Sequence, residues 1–263
     1  MLIHSPPSFP HYTFPAFDHF SGLRHAVLTR QGGVSPAPWD SLNLGWTVGD
    51  DNANVEANYQ RWTQALGIER SHLTTTWQVH GKRVMVVGES DRGRSVGKAD
   101  GLITDTPGIP LVQRFADCTP ILLYDSVQHA AGIAHAGWQG VVARVAESAV
   151  RAMQEAFGTN LADLVTAVGP AIGPCCYEVG PEVITAISTS QREPDRLLSP
   201  SQNDGKAYLD LWEANAQQLR DAGVQHIEVA ELCTACHNDI FFSHRGDKGH
   251  SGRFAAFIML EGR

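Results

Sequence analysis

Three short segments of this chain carry residues that could do chemistry. Gly132-Ile133-Ala134-His135-Ala136-Gly137-Trp138-Gln139-Gly140 sets a histidine in a run of small residues. Gln78-Val79-His80-Gly81 sets a second histidine before a glycine, and Ala116-Asp117-Cys118-Thr119-Pro120 sets a cysteine before the apolar run Ile121 to Tyr124. Small residues around a reactive side chain let another molecule approach the backbone closely. Two histidines and a thiol meeting at segment ends would form a three-ligand metal site with an open fourth position. They could also form a thiolate nucleophile at Cys118 with a histidine as base, oriented by Asp117 or Gln78. Spacing alone favours a plainer reading of satisfied histidines and a thiol packed as a small hydrophobe, because no H-x-x-H or C-x-x-C couples the three.

Other residues offer supporting chemistry. Arg30, before Gly32-Gly33, suits an oxyanion or phosphate clamp, or a solvent-facing arginine. Arg245, Lys248, His250 and Arg253 form a second cationic loop, open to the same two readings. Cys233 and Cys236 form a C-x-x-C followed by His237, the pattern of haem c attachment. No export segment is visible to support haem attachment, and a zinc knuckle needs a second ligand pair at matching spacing, which is not evident. Cys175 and Cys176 stand adjacent in a Gly/Pro loop.

The elements that must position these groups read as one α/β domain. Strands are expected at 25–28, 84–87, 102–103, 111–112, 121–124, 130–135, 164–168, 227–230 and 254–260. Helices are expected at about 54–66, 138–157 and 210–222. Val55, Tyr59, Trp62 and Leu66 form an apolar stripe on the first helix, and Gly158 suits the end of the second. The first 20 residues, rich in Pro, Phe and His, read as an irregular arm; 89–98 reads as a polar loop and 191–206 as an exposed excursion. No dinucleotide fingerprint, P-loop or internal repeat occurs. The chain has 263 residues, is 43% hydrophobic and carries a net charge of −8 without a basic block, so a nucleic-acid track is not expected. No stretch approaches a membrane span and no secretory signal is visible, so a cytoplasmic protein is expected.

Taken in order, Thr29-Arg-Gln-Gly-Gly-Val-Ser, Ser41-Leu-Asn-Leu-Gly, Val48-Gly-Asp-Asp, Gln78-Val-His-Gly, Ala116-Asp-Cys-Thr-Pro, Ala134-His-Ala-Gly-Trp, Gly169-Pro-Ala-Ile-Gly-Pro with Tyr177-Glu-Val-Gly, and Phe241-Phe-Ser resemble the YfiH-like family. That family is also called the multicopper polyphenol oxidase (laccase-domain) or purine nucleoside phosphorylase family. The resemblance runs from about residue 24 to the C-terminus. It implies a single-domain layered α-β-β-α sandwich with mixed sheets, over residues 1–263 with 1–20 as the arm. It implies zinc on the catalytic positions His80, Cys118 and His135.

The resemblance further implies purine nucleoside and phosphate as small-molecule partners: phosphorolysis of adenosine, inosine or methylthioadenosine to base and sugar 1-phosphate, with adenosine deamination. Arg30, Asn43 and Arg245 are the expected anion or sugar contacts, with Gln78 and Asp117 beside the ligands. Some relatives carry polyphenol oxidase labels, and some are linked to editing of peptidoglycan precursors. A Cys-His amidase on such a precursor and a non-catalytic envelope or cell-division partner are therefore the rival readings. Copper oxidase chemistry is disfavoured, because paired H-x-H runs are missing. Two family arginines are replaced here, by Gln139 after Trp138 and by Gly246 in His244-Arg245-Gly246.

Overall fold

The structure is a computed structural model that describes residues 1–4 and 9–262. Two sheets lie face to face. The first is antiparallel, in the order Leu2–His4, His11–Thr13, Leu23–Leu28, Phe254–Leu260, Leu111–Phe115. The second is mixed, in the order His226–Val229, Leu164–Val168, Thr119–Asp125, Ala130–Ala136, Gly101–Thr104, Val84–Val86. Its outer pairings are parallel and its inner ones antiparallel. Every residue of Thr119–Asp125, Ala130–Ala136 and Phe254–Leu260 is buried. Both faces of these strands are covered, so their sequences read as continuous apolar runs rather than alternating ones.

The layers follow from what each face buries. Between the sheets, Val27, Phe115, Phe254 and Ile258 meet Leu102, Leu122, Ile133 and Ala167. On the outer face of the mixed sheet, Val145, Ala149, Val150 and Met153 of the helix Val145–Phe157 cover Ile121, Leu123 and Ala134. On the outer face of the other sheet, Val55, Tyr59 and Trp62 of the helix Asn52–Ala65 cover Leu28, Val112 and Phe257. Helix, sheet, sheet and helix therefore stack in the expected order.

Several local expectations are corrected. The long helix over 138–157 is two helices, Trp138–Val142 and Val145–Phe157. The break falls at Arg144, which adopts a left-handed φ of 63°. The Val141 carbonyl at the break takes side-chain amide bonds from Gln191 and Gln218, at 3.0 and 2.7 Å. The N-terminal arm is not irregular throughout, because Leu2–His4 and His11–Thr13 extend the first sheet from the edge of Leu23–Leu28 opposite Phe254–Leu260. The excursion at 191–206 contributes Leu198–Pro200 to a small sheet with Ala207–Leu209 and Glu178–Val179. In the loop at 89–98, Ser95–Lys98 pairs with Thr75–Trp77.

Candidate active site

The register of the mixed sheet brings the three chemical segments together. Ala130–Ala136 pairs with Thr119–Asp125 so that His135 faces Pro120 and Ala136 faces Thr119. Cys118 thus lies just beyond the strand end, beside Gly137. A Cβ on Gly137 would stand 2.7 Å from the Cys118 sulfur, so only glycine lets the turn pass this close to the thiol. His80 follows Thr75–Trp77 in a turn with a left-handed φ of 59°. The ligand atoms of His80, Cys118 and His135 all lie within 4.8 Å of one another.

Asp100 organises this cluster, and the sequence reading missed it. It is 0% exposed. Its carboxylate accepts the backbone N–H groups of Val79 at 3.2 Å, His80 at 2.9 Å and Gly81 at 2.7 Å, which hold the left-handed turn in place. It also lies 3.0 Å from His135 Nδ1. That bond makes Nδ1 the protonated nitrogen and leaves Nε2 for the cluster, the arrangement found behind metal-binding histidines. Burial opposes ionisation of Asp100, but the His135 bond and the Gly81 N–H hold it below the usual carboxylate range.

Cys118 and His135 form a coupled pair. Burial alone would keep the thiol protonated, yet the charge of His135 and hydrogen bonds from both histidines bring it down to about 6. Burial likewise opposes protonation of His135, while the Cys118 charge and the Asp100 bond raise it to about 9. A thiolate, two convergent imidazoles and a carboxylate behind one of them match the donor set of a tetrahedral site with three protein ligands.

The cluster lies in a cleft of about 790 Å³, lined also by Trp46, Trp77, Trp138, Tyr177, Gln139 and three arginines, Arg114, Arg245 and Arg253. The volume suits a small organic molecule plus an anion. Arg245 lies over the Tyr177 ring at 5.3 Å and donates to the Glu178 carbonyl. Arg114 donates to the Thr76 carbonyl, and Arg253 to the carbonyls of Ser251 and Gly252. Burial lowers Arg253, and the charges of Cys118 and Asp117 oppose that shift.

Of the other expected residues, Gln78, Asp117 and Arg245 line this cleft, whereas Arg30 and Asn43 do not. Gln78 bonds to the backbone of Arg114 through both ends of its amide, at 2.8 and 3.0 Å, and so pins the His80 segment to the strand Leu111–Phe115. Asp117, at a left-handed φ of 81°, accepts from Thr234 Oγ1 and from the Arg245 backbone, each at 2.6 Å. Arg30 lies outside this cleft, over Phe242, and donates to Asp40 and Asn238. Asn43 is fully buried and bonds to Asp50, Gly45 and Arg253 N. Arg30 and Asn43, expected as anion or sugar contacts, are held by internal bonds outside this cleft. The arginines that line the cleft are the expected Arg245 together with Arg114 and Arg253. The signal for Arg114 is a charge next to Phe115 in Leu111–Phe115, where it sits half-buried.

Fold and site together define a layered α/β protein with a His-Cys-His cluster on the floor of an aromatic, arginine-lined cleft. The family model described as multi-copper polyphenol oxidoreductase laccase matches residues 24–261, and the chain belongs to this YfiH-like family. The purine nucleoside phosphorylase YlmD of Geobacillus stearothermophilus is 39% identical over 248 residues, covering 91% of this chain and 90% of that one. The purine nucleoside phosphorylase YfiH of Escherichia coli is 36% identical over 247 residues, covering 94% and 97%. The crystal structure of YlmD from Geobacillus stearothermophilus superposes with a TM-score of 0.92 at 36% identity, covering 98% of each chain.

Proposed function

We propose that this protein is a zinc-dependent purine nucleoside phosphorylase acting on adenosine, inosine or methylthioadenosine, with adenosine deamination at the same site. The observation that carries the reading is the cleft itself. One cavity of about 790 Å³ joins a three-donor metal cluster, flat aromatic walls and three guanidinium groups. The relatives' names point the same way.

His80, Cys118 and His135 would hold the zinc, with Asp100 fixing His135. A bound zinc ion supplies Lewis acidity at the floor of the cleft. Trp46, Trp77, Trp138 and Tyr177 offer faces on which a purine can stack. Arg114, Arg245 and Arg253 supply planar, permanently charged donors for phosphate. In phosphorolysis a phosphate oxygen forms a bond to the sugar C1′ while the C1′–N bond breaks, and the departing purine takes up a proton. Holding both reactants in one cleft converts the encounter into a positioned displacement. Among the described residues the only other cluster of metal donors is four cysteines, so a histidine-rich trinuclear copper centre finds no ligands here.

Chromatography of adenosine incubated with the protein, with and without phosphate, tests the reading. Free adenine is expected only with phosphate, and inosine in both tubes. Unchanged adenosine in every tube would overturn the proposal.

The Cys118–His135 pair supports a second reading, a Cys-His amidase on a peptidoglycan precursor. A thiol at about 6 beside an imidazolium is an activated nucleophile. In metal-free protein, alkylation of Cys118 should rise as pH increases through about 6, where an ordinary thiol would respond near 9. This reading requires that alkylation abolish amide hydrolysis by metal-free protein; metal-free protein inert on such substrates would exclude it.

A further inference from the structure

Away from the cleft, the chain gathers its remaining cysteines. Cys175 and Cys176 come from the loop after Leu164–Val168, and Cys233 and Cys236 from a turn some 60 residues later. A short parallel bridge between Ala171 and Cys233 holds the two segments in register. Ala171 N donates to the Leu232 carbonyl and Thr234 N to the Ala171 carbonyl, at 3.2 and 3.1 Å. The second ligand pair that the C-x-x-C lacks in sequence is therefore supplied by the fold.

The four sulfurs lie within 4.8 Å of one another. Cys236 Sγ is 3.5 Å from Cys175 Sγ and 3.4 Å from Cys176 Sγ. A zinc–sulfur bond of about 2.3 Å in a tetrahedron places neighbouring sulfurs ~3.8 Å apart, so the spacing is that of four ligands around one ion. Bonded disulfide sulfurs stand at about 2.05 Å, and here one sulfur faces two others almost equally. The Gly173 N–H donates to the Cys233 sulfur at 3.3 Å, the kind of backbone bond that orients a ligating thiolate. Turns around Gly173, whose carbonyl accepts from Cys176 N and Tyr177 N, preform one half of the set.

We propose that Cys175, Cys176, Cys233 and Cys236 bind a second, structural metal ion, a thiophilic tetrahedral divalent cation of the zinc class. With four protein ligands the coordination is complete, so this site leaves no position for substrate, unlike the three-donor cluster in the cleft. Its task is to staple two loops that build the cleft wall. Tyr177 adjoins Cys176, and Thr234, inside the C-x-x-C, bonds to Asp117 beside Cys118. The site rests on its own four sulfurs and its test uses no activity; only the total of two ions adds the cleft zinc of the proposed function.

The test is metal content by plasma mass spectrometry on full-length protein purified under reducing conditions and dialysed against zinc. Two ions per chain are expected. The pair Cys175→Ser and Cys236→Ser should drop the count to one, and Cys118→Ser should drop it to one independently. Thiol-reagent titration of native wild-type protein avoids any folding failure of the serine variants. The four cysteines should resist modification until a chelator is added, and then react together. A single ion per chain that Cys118→Ser removes, or free reaction of all four thiols in zinc-replete protein, would overturn the proposal. So would a Cys176–Cys236 disulfide persisting in protein handled with reductant.

Discussion

Asp100 shows how one side chain sets the chemistry of its neighbours. Its carboxylate closes the His80 turn through three backbone N–H groups and orients His135 through Nδ1. An asparagine there keeps one accepting oxygen but turns a donor toward N–H groups that need an acceptor. Asp100→Asn should weaken metal binding at His80, Cys118 and His135 by about 10- to 100-fold, read by competition with a chromophoric chelator. Equal affinity in the two proteins would mean that the ligands orient themselves. Gln139 makes the complementary case. It lines the cleft as an uncharged amide, within the same wall as the three arginines. Gln139→Arg adds a guanidinium and should lower the KM for phosphate about tenfold, or ~1.4 kcal/mol, with little change in the KM for nucleoside. A fall in nucleoside KM instead would assign position 139 to the sugar or base.

Elements depend on similar single contacts where they meet. His25, in Leu23–Leu28, accepts the Phe14 N–H at 2.8 Å, and its ring packs against Phe14 and Phe17. It thereby joins the strand to the short helix Pro15–Asp18. Burial, with smaller effects from His11 and His4, lowers its pKa from 6.5 to about 4. Only the neutral ring can accept that bond, so protonation favours the unfolded chain. The stabilisation is complete above about 6.5 and is lost as pH falls toward about 4. Its size is on the order of 3 kcal/mol. Urea unfolding between these two pH values should show that decline, and His25→Gln should flatten it. An identical slope in the variant would trace the pH dependence to other groups.

Elements also mark where the sequence was readable. The apolar runs of the buried strands and the Val55–Tyr59–Trp62 stripe follow from periodicity, and small residues flag His135. Asp100 escaped notice because a lone carboxylate before a glycine resembles any turn. The helix break at Arg144 depends on Gln191 and Gln218, which arrive from distant segments. The four-cysteine cluster required the Ala171–Cys233 bridge, which no local pattern announces.

For the whole molecule, charge distribution matters more than its sum. The chain carries a net charge of −8, yet Arg114, Arg245 and Arg253 converge on one cleft. The net negative charge repels phosphate at long range, while low-dielectric walls concentrate the field of the arginines within the cleft. Composition cannot reveal this focus, because the three residues come from a strand and a late loop. Salt should therefore act on the two substrates differently. Raising NaCl from about 0.1 to about 1 M shortens the screening length from ~10 to ~3 Å. The KM for phosphate should rise several-fold over this range, while that for the uncharged nucleoside stays nearly constant. Steady-state kinetics with each substrate varied in turn measures both. If the two constants rise together, salt is acting on the fold or the metal cluster, and the arginines of the cleft are not the phosphate site.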